Sequence, residues 1–325
     1  MAEYDLVIRG GTVATAGDVV TADIGVRDGR VVALGEELGA GESEIDAAGK
    51  VVTPGGIDSH CHLDQPMSDG SVMADDFESG TISAAFGGTT TVIPFACQAK
   101  GQSLRAGVED YHGRAKGKAV IDYAFHLILT DPTDQVLGQE LPALIKDGYT
   151  SFKIYMTYDD LKLNDREILD VLGVARREGA MTMIHAENSD CIAWLTEQLE
   201  AAGHTAPKYH AESRPPPVER EATHRAATLA EIADTPVLIV HVSGAEAIDQ
   251  IRAAQARGVS VYAETCPQYL FLTADDLDLE GFEGQVHLLA AAPRRRKPES
   301  RVVGLDDRRI SRLLIGSCAL QICRR

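Results

Sequence analysis

The chain has 325 residues, of which 25% are charged and 44% hydrophobic, a composition typical of a globular enzyme and not of a disordered chain. Its net charge of −18 disfavours nucleic acids and anionic membrane surfaces as partners. The sequence contains no apolar stretch long enough to span a bilayer and no signal-peptide pattern at its start. Its six cysteines are scattered without paired spacing, so we expect reduced thiols in a cytoplasmic protein.

Residues 1–52 are predicted to form a small β domain. Apolar and polar residues alternate over residues 5–26 between turn signals, as expected for short strands with one buried face. The Asp28-Gly29 pair, followed by the apolar residues 31–34, is a signal for a tight β-hairpin. No catalytic residue is evident here, and we interpret this part as a structural module.

From residue 53 onward, apolar strands alternate with helical stretches. The predicted strands are residues 90–95, 121–126, 150–155, 181–185, 236–241 and 259–264, and the clearest helices are residues 165–178 and 219–233. Most intervals between strands suit βα units, which predicts an α/β fold of the (β/α)8 TIM-barrel type for residues 53–284. The three prolines at 215–217 predict a rigid loop near the mouth of the site.

Histidines and one lysine stand where predicted strands end, and the catalytic residues of such barrels lie at strand ends. His60 and His62 are one residue apart, so an extended backbone directs both imidazoles to the same side, as a metal ion requires. Lys153, His185 and His241 end later strands. Each one alone would more often be a structural residue or a solvated charge, but together the five favour a metal site.

Lys153 needs a separate explanation, because a cationic side chain beside metal ions would be repelled. That repulsion would drive Lys153 to its neutral amine, which can add carbon dioxide to become a carbamate. A carbamate has two oxygens and could bridge two metal ions held by the histidines on either side. Converging imidazoles favour zinc or another divalent first-row ion over calcium or magnesium.

With these residues in place, the chain resembles the hydantoinase and dihydropyrimidinase branch of the amidohydrolase superfamily. The resemblance runs in order from residue 4 to about residue 284. The stretches that carry it are PGGIDSHCH at 54–62, GGTTT at 87–91, TSFK at 150–153, MIHAEN at 183–188, PKYHAESRPP at 207–216, VHVS at 240–243 and ETCPQYL at 264–270.

The resemblance implies a role for each of the five candidate ligands. His60 and His62 match the ligands of the more buried of two divalent metal ions, and His185 and His241 match ligands of the second. Lys153 matches the carboxylated lysine that bridges both metals. The implied cofactors are therefore two divalent ions, with zinc favoured, and carbon dioxide bound as a carbamate on Lys153.

Tyr158 matches the tyrosine that contacts the substrate and stabilises the oxyanion, although without the resemblance we would interpret it as a packing aromatic. The implied reaction is hydrolysis of a cyclic amide ring, a hydantoin or a 5,6-dihydropyrimidine, by a hydroxide that bridges two metal ions. Tyr158 would donate to the oxyanion, and a carboxylate would pass a proton to the leaving nitrogen. The resemblance also implies a homo-oligomer, since tetramers are common in the family.

Asp64 discriminates between branches of the superfamily. Dihydroorotases carry an arginine in a His-x-His-x-Arg pattern to hold the substrate carboxylate, and Asp64 at that position favours an uncharged ring. An allantoinase- or dihydroorotase-type hydrolase remains an alternative. A second alternative is a non-catalytic dihydropyrimidinase-like scaffold of the collapsin response mediator kind, against which the presence of all five candidate ligands argues.

Residues 285–325 depart from the family pattern. They hold ten Lys and Arg, three acidic residues and no aromatic residue. Where the family has a Ser-Pro-Pro-Pro-Arg stretch, this chain has an alanine- and arginine-rich run at 290–296. Proline codons that are read out of frame give alanine or arginine codons. We hypothesise a one-nucleotide frameshift near codon 285. The rival interpretation is a genuine basic arm that binds acidic partners.

This departure has consequences for the barrel and for the reaction. The Ser-Ser-Asp-His-like stretch, which carries the aspartate ligand and proton shuttle of the family, is missing from the sequence. We therefore predict an incomplete barrel that lacks its eighth strand and exposes strand edges. We also predict low or no turnover by this chain.

Overall fold

The computed structural model describes most of the chain, namely residues 2–66, 70–280, 313–315 and 323–324. The chain divides into two compact units, Met1–Gly56 and Ile57–Arg325. The predicted basic tail, residues 285–325, lies outside the described residues except for two short strands. None of the helices in the described part is both long enough and apolar enough to cross a membrane.

The first unit is a five-stranded sheet. Its strands are β1 (Tyr4–Ala14), β2 (Val19–Arg27), β3 (Arg30–Gly35), β4 (Gly41–Asp46) and β5 (Val51–Val52). The strand order is β3-β2-β1-β4, and β5 also pairs with β1. The pairs β1–β2 and β2–β3 are antiparallel, whereas β4 and β5 run parallel to β1.

The hairpin between β2 and β3 has the predicted two-residue turn. Asp28 and Gly29 have φ angles of 52° and 69°, the left-handed conformation that lets a two-residue turn match the strand twist. Two predicted short strands instead form the single strand β1. Its pairing with β2 shifts between Ile8 and Gly11, where Gly10 adopts a φ of 64°, so the break seen in the sequence is an irregularity within one strand.

The second unit contains the remaining strands and all the helices of the described residues. Its strands are β6 (Gly56–Cys61), β7 (Val72–Met73), β8 (Thr89–Cys97), β9 (Asp122–Tyr123), β10 (His126–Ile128), β11 (Ser151–Tyr155), β12 (Met181–His185), β13 (Val237–Ile239), β14 (Val261–Thr265), β15 (Leu313–Ile315) and β16 (Cys323–Arg324). Its α-helices are α1 (Phe77–Phe86), α2 (Leu104–Ala115), α3 (Leu141–Lys146), α4 (Asp165–Glu178), α5 (Ser189–Ala201), α6 (Tyr209–Glu212), α7 (Pro216–Ala233) and α8 (Ala245–Ala256). A π-helical turn spans Val136–Glu140, and 3₁₀ turns span Pro267–Leu270 and Ala274–Leu277.

The strands of this unit form a curled sheet of the predicted TIM-barrel type. Its order is β15-β14-β13-β12-β11-β10-β8-β6, with β9 beside β8, and the pairs from β8 to β15 are parallel. The described strands do not close into a ring, because β6 and β15 end the order at opposite edges. The incomplete barrel is therefore confirmed. One detail differs from the prediction, since Leu313–Ile315 pairs with β14 where we expected no further strand.

Helix α4 shows why the local sequence folds as predicted. The Asn164 side chain accepts a hydrogen bond from the Glu167 backbone N–H, and the Glu167 carboxylate accepts one from the Asn164 backbone N–H. The two hydrogen bonds form a capping box. Gly179 ends the helix at a φ of 73°. Ile168 and Val171 are buried on the inner face, so the predicted bounds, residues 165–178, are those observed.

The three prolines do not form the predicted loop. Pro215 is the N-cap residue of α7, and Pro216 and Pro217 lie in the first helical turn. Proline suits that turn because its missing N–H would have no partner there and its φ is already helical. The prolines therefore start a helix.

Alternation along β11 separates the outer core from the inner face of the sheet. Phe152 and Ile154 are buried in the large cluster formed with the helices, whereas Tyr155 belongs to a small cluster with Phe95 and Met183. Successive residues of a strand face opposite sides, so Lys153 shares the face of Tyr155. The fold thus directs a lysine into the interior of the sheet.

Candidate metal centre

The predicted site residues lie on or just after four strands of the curled sheet, and Lys153 lies within its strand where we predicted a strand end. His60 is the penultimate residue of β6 and His62 follows that strand directly. Lys153 is the central residue of β11, His185 ends β12, and His241 comes two residues after β13. Because parallel strands bring their carboxyl ends to one edge, these side chains converge.

The structure brings all five predicted ligands together. The ring centroid of His60 lies 5.6 Å from that of His62 and 5.7 Å from that of His241. The ring centroids of His185 and His241 are 4.4 Å apart. Lys153 Nζ lies 3.1 Å from His60 Nε2. One continuous cluster of four imidazoles and one amine results.

Burial favours the neutral form of three imidazoles of this cluster, those of His62, His185 and His241. His60 is fully buried, and Lys153 is 2% exposed. Burial lowers the pKa of His62 and His241 well below the usual value, and the nearby Lys153 lowers both further. Burial also lowers the pKa of His185, against the opposing effect of Glu187. Neutral imidazoles offer the lone pair that a metal ion needs.

Hydrogen bonds fix which nitrogen of two histidines carries the proton. His62 Nδ1 lies 2.5 Å from Gln65 Oε1, which can only accept, so Nε2 of His62 keeps its lone pair. His185 Nε2 donates a hydrogen bond to Glu187 Oε2 over 2.8 Å, so the lone pair of the His185 ring is on Nδ1. Burial raises the pKa of Glu187, but His185 and Arg214 outweigh burial and hold it below its usual range.

Four imidazoles and one amine make up the donor set of this cluster. Among the described residues, no three His, Cys, Asp or Glu side chains surround a single metal position. That agrees with the sequence, in which the histidine pairs and Lys153 are present and the aspartate ligand of the family has no match. Imidazole nitrogens suit zinc and other first-row divalent ions, so the residues present match the cofactor implied by the sequence.

Tyr158 lies beside the cluster. Its ring centroid is 5.2 Å from that of His185, and the side chain is 38% exposed and lines a cavity of about 920 Å³. Its φ of 66° is unusual for a bulky residue, and His241 has a φ of 41°. Left-handed backbone at non-glycine residues costs about 1–3 kcal/mol and is concentrated at functional sites.

Asp64 has a structural partner. Its φ is 49°, and Arg114 Nη1 donates to the Asp64 carbonyl oxygen over 3.0 Å and to its carboxylate over 3.3 Å. The carboxylate at the position that discriminates between substrates is therefore bound by a residue of α2. This contact holds the turn that follows His62.

The sequence analysis missed a buried carboxylate, Glu264. It is the penultimate residue of β14, is 2% exposed, and contacts His60 Nδ1. Burial raises its pKa to about 7, and Lys153 and a hydrogen bond from the His241 backbone N–H oppose that rise. A usable signal was present, because Glu264 ends the predicted strand 259–264.

A second missed carboxylate, Glu219, lies in the first turn of α7 and is half-buried. It accepts from the backbone N–H groups of Ser243 and Gly244, both at 2.8 Å, and from the Ser243 hydroxyl at 3.0 Å. Burial raises its pKa to about 7. It fixes the loop that follows His241, and no local sequence signal pointed to this contact.

Residues 51–299 match the Amidohydrolase family, and the match ends inside the predicted tail. The chain is 48% identical over 280 residues to a D-hydantoinase of Geobacillus stearothermophilus. This match covers 85% of this chain and 59% of that protein. It is 45% identical over 296 residues to a D-hydantoinase of Rhizobium radiobacter, which covers 91% of this chain and 64% of that protein.

Solved structures show the same likeness. A D-hydantoinase structure superposes with a TM-score of 0.87 at 44% identity, over 90% of this chain and 64% of that one. A dihydropyrimidinase from Brevibacillus agri NCHU1002 superposes with a TM-score of 0.83 at 45% identity, over 86% of this chain and 61% of that one. The chain therefore spans less than two thirds of the length of these relatives.

Proposed function

Since this chain belongs to the amidohydrolase family, we propose that it is a metal-dependent hydrolase of cyclic amide rings, a hydantoin or a 5,6-dihydropyrimidine. The observation that carries the proposal is the buried cluster in which Lys153 Nζ lies 3.1 Å from His60 Nε2, with three further imidazoles alongside. The names of the relatives, D-hydantoinase and dihydropyrimidinase, give the substrate class.

The proposed metal ligands are His60 and His62 for one ion and His185 and His241 for the other. Lys153, carboxylated by carbon dioxide, is the proposed bridge. When bound, two divalent ions supply a polarised carbonyl and a water of lowered pKa. Zinc is the proposed metal, because four neutral imidazoles are its preferred donors.

The other residues of the cavity bind and orient the ring. The proposed role of Tyr158 is to donate its hydroxyl hydrogen to the developing oxyanion, and its place on the cavity wall beside His185 supports that role. Leu161 and Ile192 also line the cavity and would exclude water from one side of a bound ring. Arg114 engages the Asp64 carboxylate, which agrees with an uncharged ring as the substrate.

The proposed turnover of this chain is low. Residues 285–325 stand where the family pattern would continue, and they contain no Ser-Ser-Asp-His-like stretch to supply a proton shuttle. The non-family tail, residues 285–325, is attributed to a frameshift. We therefore expect this chain to bind metal and substrate but to hydrolyse the substrate only slowly.

The proposal includes a homo-oligomer, with a tetramer as in the family, and a cytoplasmic location. Among the described residues, Cys97 and Cys191 are free thiols, which is in keeping with a reducing compartment. Light scattering of the purified chain would measure the oligomeric state directly.

Ring opening of dihydrouracil and hydantoin tests the proposal. The zinc-loaded chain, its His185→Ala variant and the D-hydantoinase of Geobacillus stearothermophilus would be assayed side by side. We expect slow hydrolysis by the chain, less by the variant, and far more by the full-length relative. Zinc uptake that does not change in His185→Ala would contradict the proposed site, and ring opening without any bound metal would contradict the reaction class.

A further inference from the structure

A buried carboxylate contacts one of the proposed metal ligands. Glu264 lies on β14, 204 residues from His60 along the chain, and its Oε1 contacts His60 Nδ1. The two side chains are 2% and 1% exposed. Lys153 and His126 are further charged or titratable groups acting on this carboxylate.

Contacts on both ring nitrogens set the tautomer of His60. Lys153 Nζ lies 3.1 Å from Nε2, and an amine donates to a ring nitrogen only where that nitrogen has a lone pair. The proton of neutral His60 is then on Nδ1, where the Glu264 carboxylate accepts it. Both contacts therefore require the same tautomer, with the lone pair of Nε2 facing Lys153.

The backbone of Glu264 also contacts the loop that carries His241. The φ of His241 is 41°, a conformation that a strand residue does not adopt. The Val242 N–H, one residue further on, donates to the Glu264 carbonyl oxygen over 2.8 Å. This contact belongs to the backbone, so the contact with His60 is what distinguishes the Glu264 side chain.

His62 offers an internal comparison. Its Nδ1 is held by Gln65, a neutral amide, whereas His60 is held by a carboxylate. A carboxylate partner both orients an imidazole and makes its other nitrogen a stronger donor to a metal. The stronger partner therefore acts on the ligand that also contacts the bridging lysine.

We propose that Glu264 is a positioning residue of the metal centre, which orients His60 with Nε2 toward the metal. This inference rests on the proposed function. It predicts that Glu264 governs metal affinity through His60 and does more than stabilise β14.

Three variants test the role of Glu264. Glu264→Leu removes both hydrogen-bond acceptors, and Glu264→Gln keeps one. Thr265→Val is the matched control, since Thr265 is the next residue of β14 and its hydroxyl donates to the Val242 carbonyl over 2.9 Å without touching His60. Zinc affinity would be measured by competition with a chelating indicator, and the His60 tautomer by ¹⁵N-histidine NMR of the metal-free chains.

We expect zinc affinity to fall by about 10–100-fold in Glu264→Leu and by less in Glu264→Gln, as for other outer partners of metal-bound histidines. Thr265→Val should bind zinc like the wild type. In the metal-free wild type His60 should carry its proton on Nδ1, and in Glu264→Leu the Nε2–H form should gain population. If Glu264→Leu does not fold, Glu264→Gln decides by the same two measurements.

Wild-type zinc affinity in both Glu264 variants, or an unchanged His60 tautomer, would overturn the inference and leave the proposed function standing. A wild-type chain that binds no zinc would contradict the proposed function instead. The NMR comparison of the metal-free chains would still decide whether Glu264 sets the tautomer of His60.

Discussion

The two units of the chain arrange polar groups in opposite ways. In the first unit, the Arg9 guanidinium donates to the carboxylates of Asp23 and Glu44 and to the Leu38 carbonyl, so a cation is surrounded by acceptors. In the second unit, nitrogen bases face one another, with ring centroids 4.4–5.7 Å apart. The first arrangement ties strands together, whereas the second holds like groups side by side.

This contrast separates a structural cluster from a candidate site. Complementary charges satisfy each other, and the polar network of the first unit needs no further partner. Adjacent bases would repel if protonated, and burial lowers the pKa of His62, His185 and His241 and so favours their neutral form. Groups kept in perturbed protonation states within a cavity are candidates for function.

Loss of the shared amine should have the largest effect. Lys153→Met keeps the buried volume of the side chain but removes the proposed bridge between the two metals. We expect zinc affinity to fall by more than the roughly 100-fold that outer-partner variants cost. Elemental analysis after dialysis measures the bound metal. Lys162→Ala, which removes a lysine bound to Ser189 and Asp159, is the control and should retain its zinc.

The next prediction concerns the first unit. Arg9→Met leaves the Asp23 carboxylate in place but removes its guanidinium partner, so strands β1, β2 and β4 lose their common contact. Amide hydrogen exchange should accelerate in these strands, while zinc content stays at the wild-type level. Faster exchange confined to β11 and β12, or loss of zinc, would contradict the separation of the two clusters.

Glu219 predicts the direction of a pH effect in the second unit. Burial raises its folded-state pKa from 4.5 to about 7, so the folded chain binds more protons than the unfolded chain between those values. Its contribution lowers stability as the pH rises from about 4.5 to 7, by about 3 kcal/mol in total. Asp23 acts in the opposite sense, because hydrogen bonding by Gly10 and Arg9 lowers its pKa and its contribution is lost in acid.

Glu219→Gln removes this titration. The difference in Tm between pH 5 and pH 8, measured on metal-free protein, should therefore be smaller in Glu219→Gln than in the wild type. Glu221→Gln is the control, because Glu221 is a partly exposed carboxylate of the same helix that is paired with Arg225. An identical pH dependence in Glu219→Gln and the wild type would show that this carboxylate titrates normally.

The smallest effect is expected at a helix cap. Asn164→Ala removes the side chain that accepts from the Glu167 N–H at the start of α4. A lost cap costs about 1 kcal/mol, which urea denaturation can measure. Arg166→Ala, in the exposed first turn of the same helix, should change stability by less than about 0.5 kcal/mol. Neither variant should alter zinc binding, and a cap variant that loses zinc would contradict this account.

Local patterns predicted much of the fold. The strand at 181–185 and the helix at 165–178 were found at their predicted positions, because the signals for each are local: a short apolar run for the strand, and a capping box and a C-terminal glycine for the helix. The prolines at 215–217 were interpreted wrongly, since proline is equally at home in a rigid loop and in the first turn of a helix.

The candidate site was predicted only in part. Histidine is a common metal ligand, so its presence at predicted strand ends was enough to find His60 and His185 from the sequence. Glu264 was missed because a glutamate at a strand end is usually a solvated charge, and its partner is 204 residues away. Contacts of that separation follow from the curvature of the whole sheet and leave no local pattern. The pairing of Leu313–Ile315 with β14 has the same origin.

A crystal structure of the zinc-loaded chain with anomalous data at the zinc edge tests the central claim most directly. The account predicts two zinc peaks, one at His60 and His62 and one at His185 and His241, joined by density for a carboxylated Lys153. Zinc bound elsewhere on the chain, with an unmodified Lys153 between unliganded imidazoles, would contradict it.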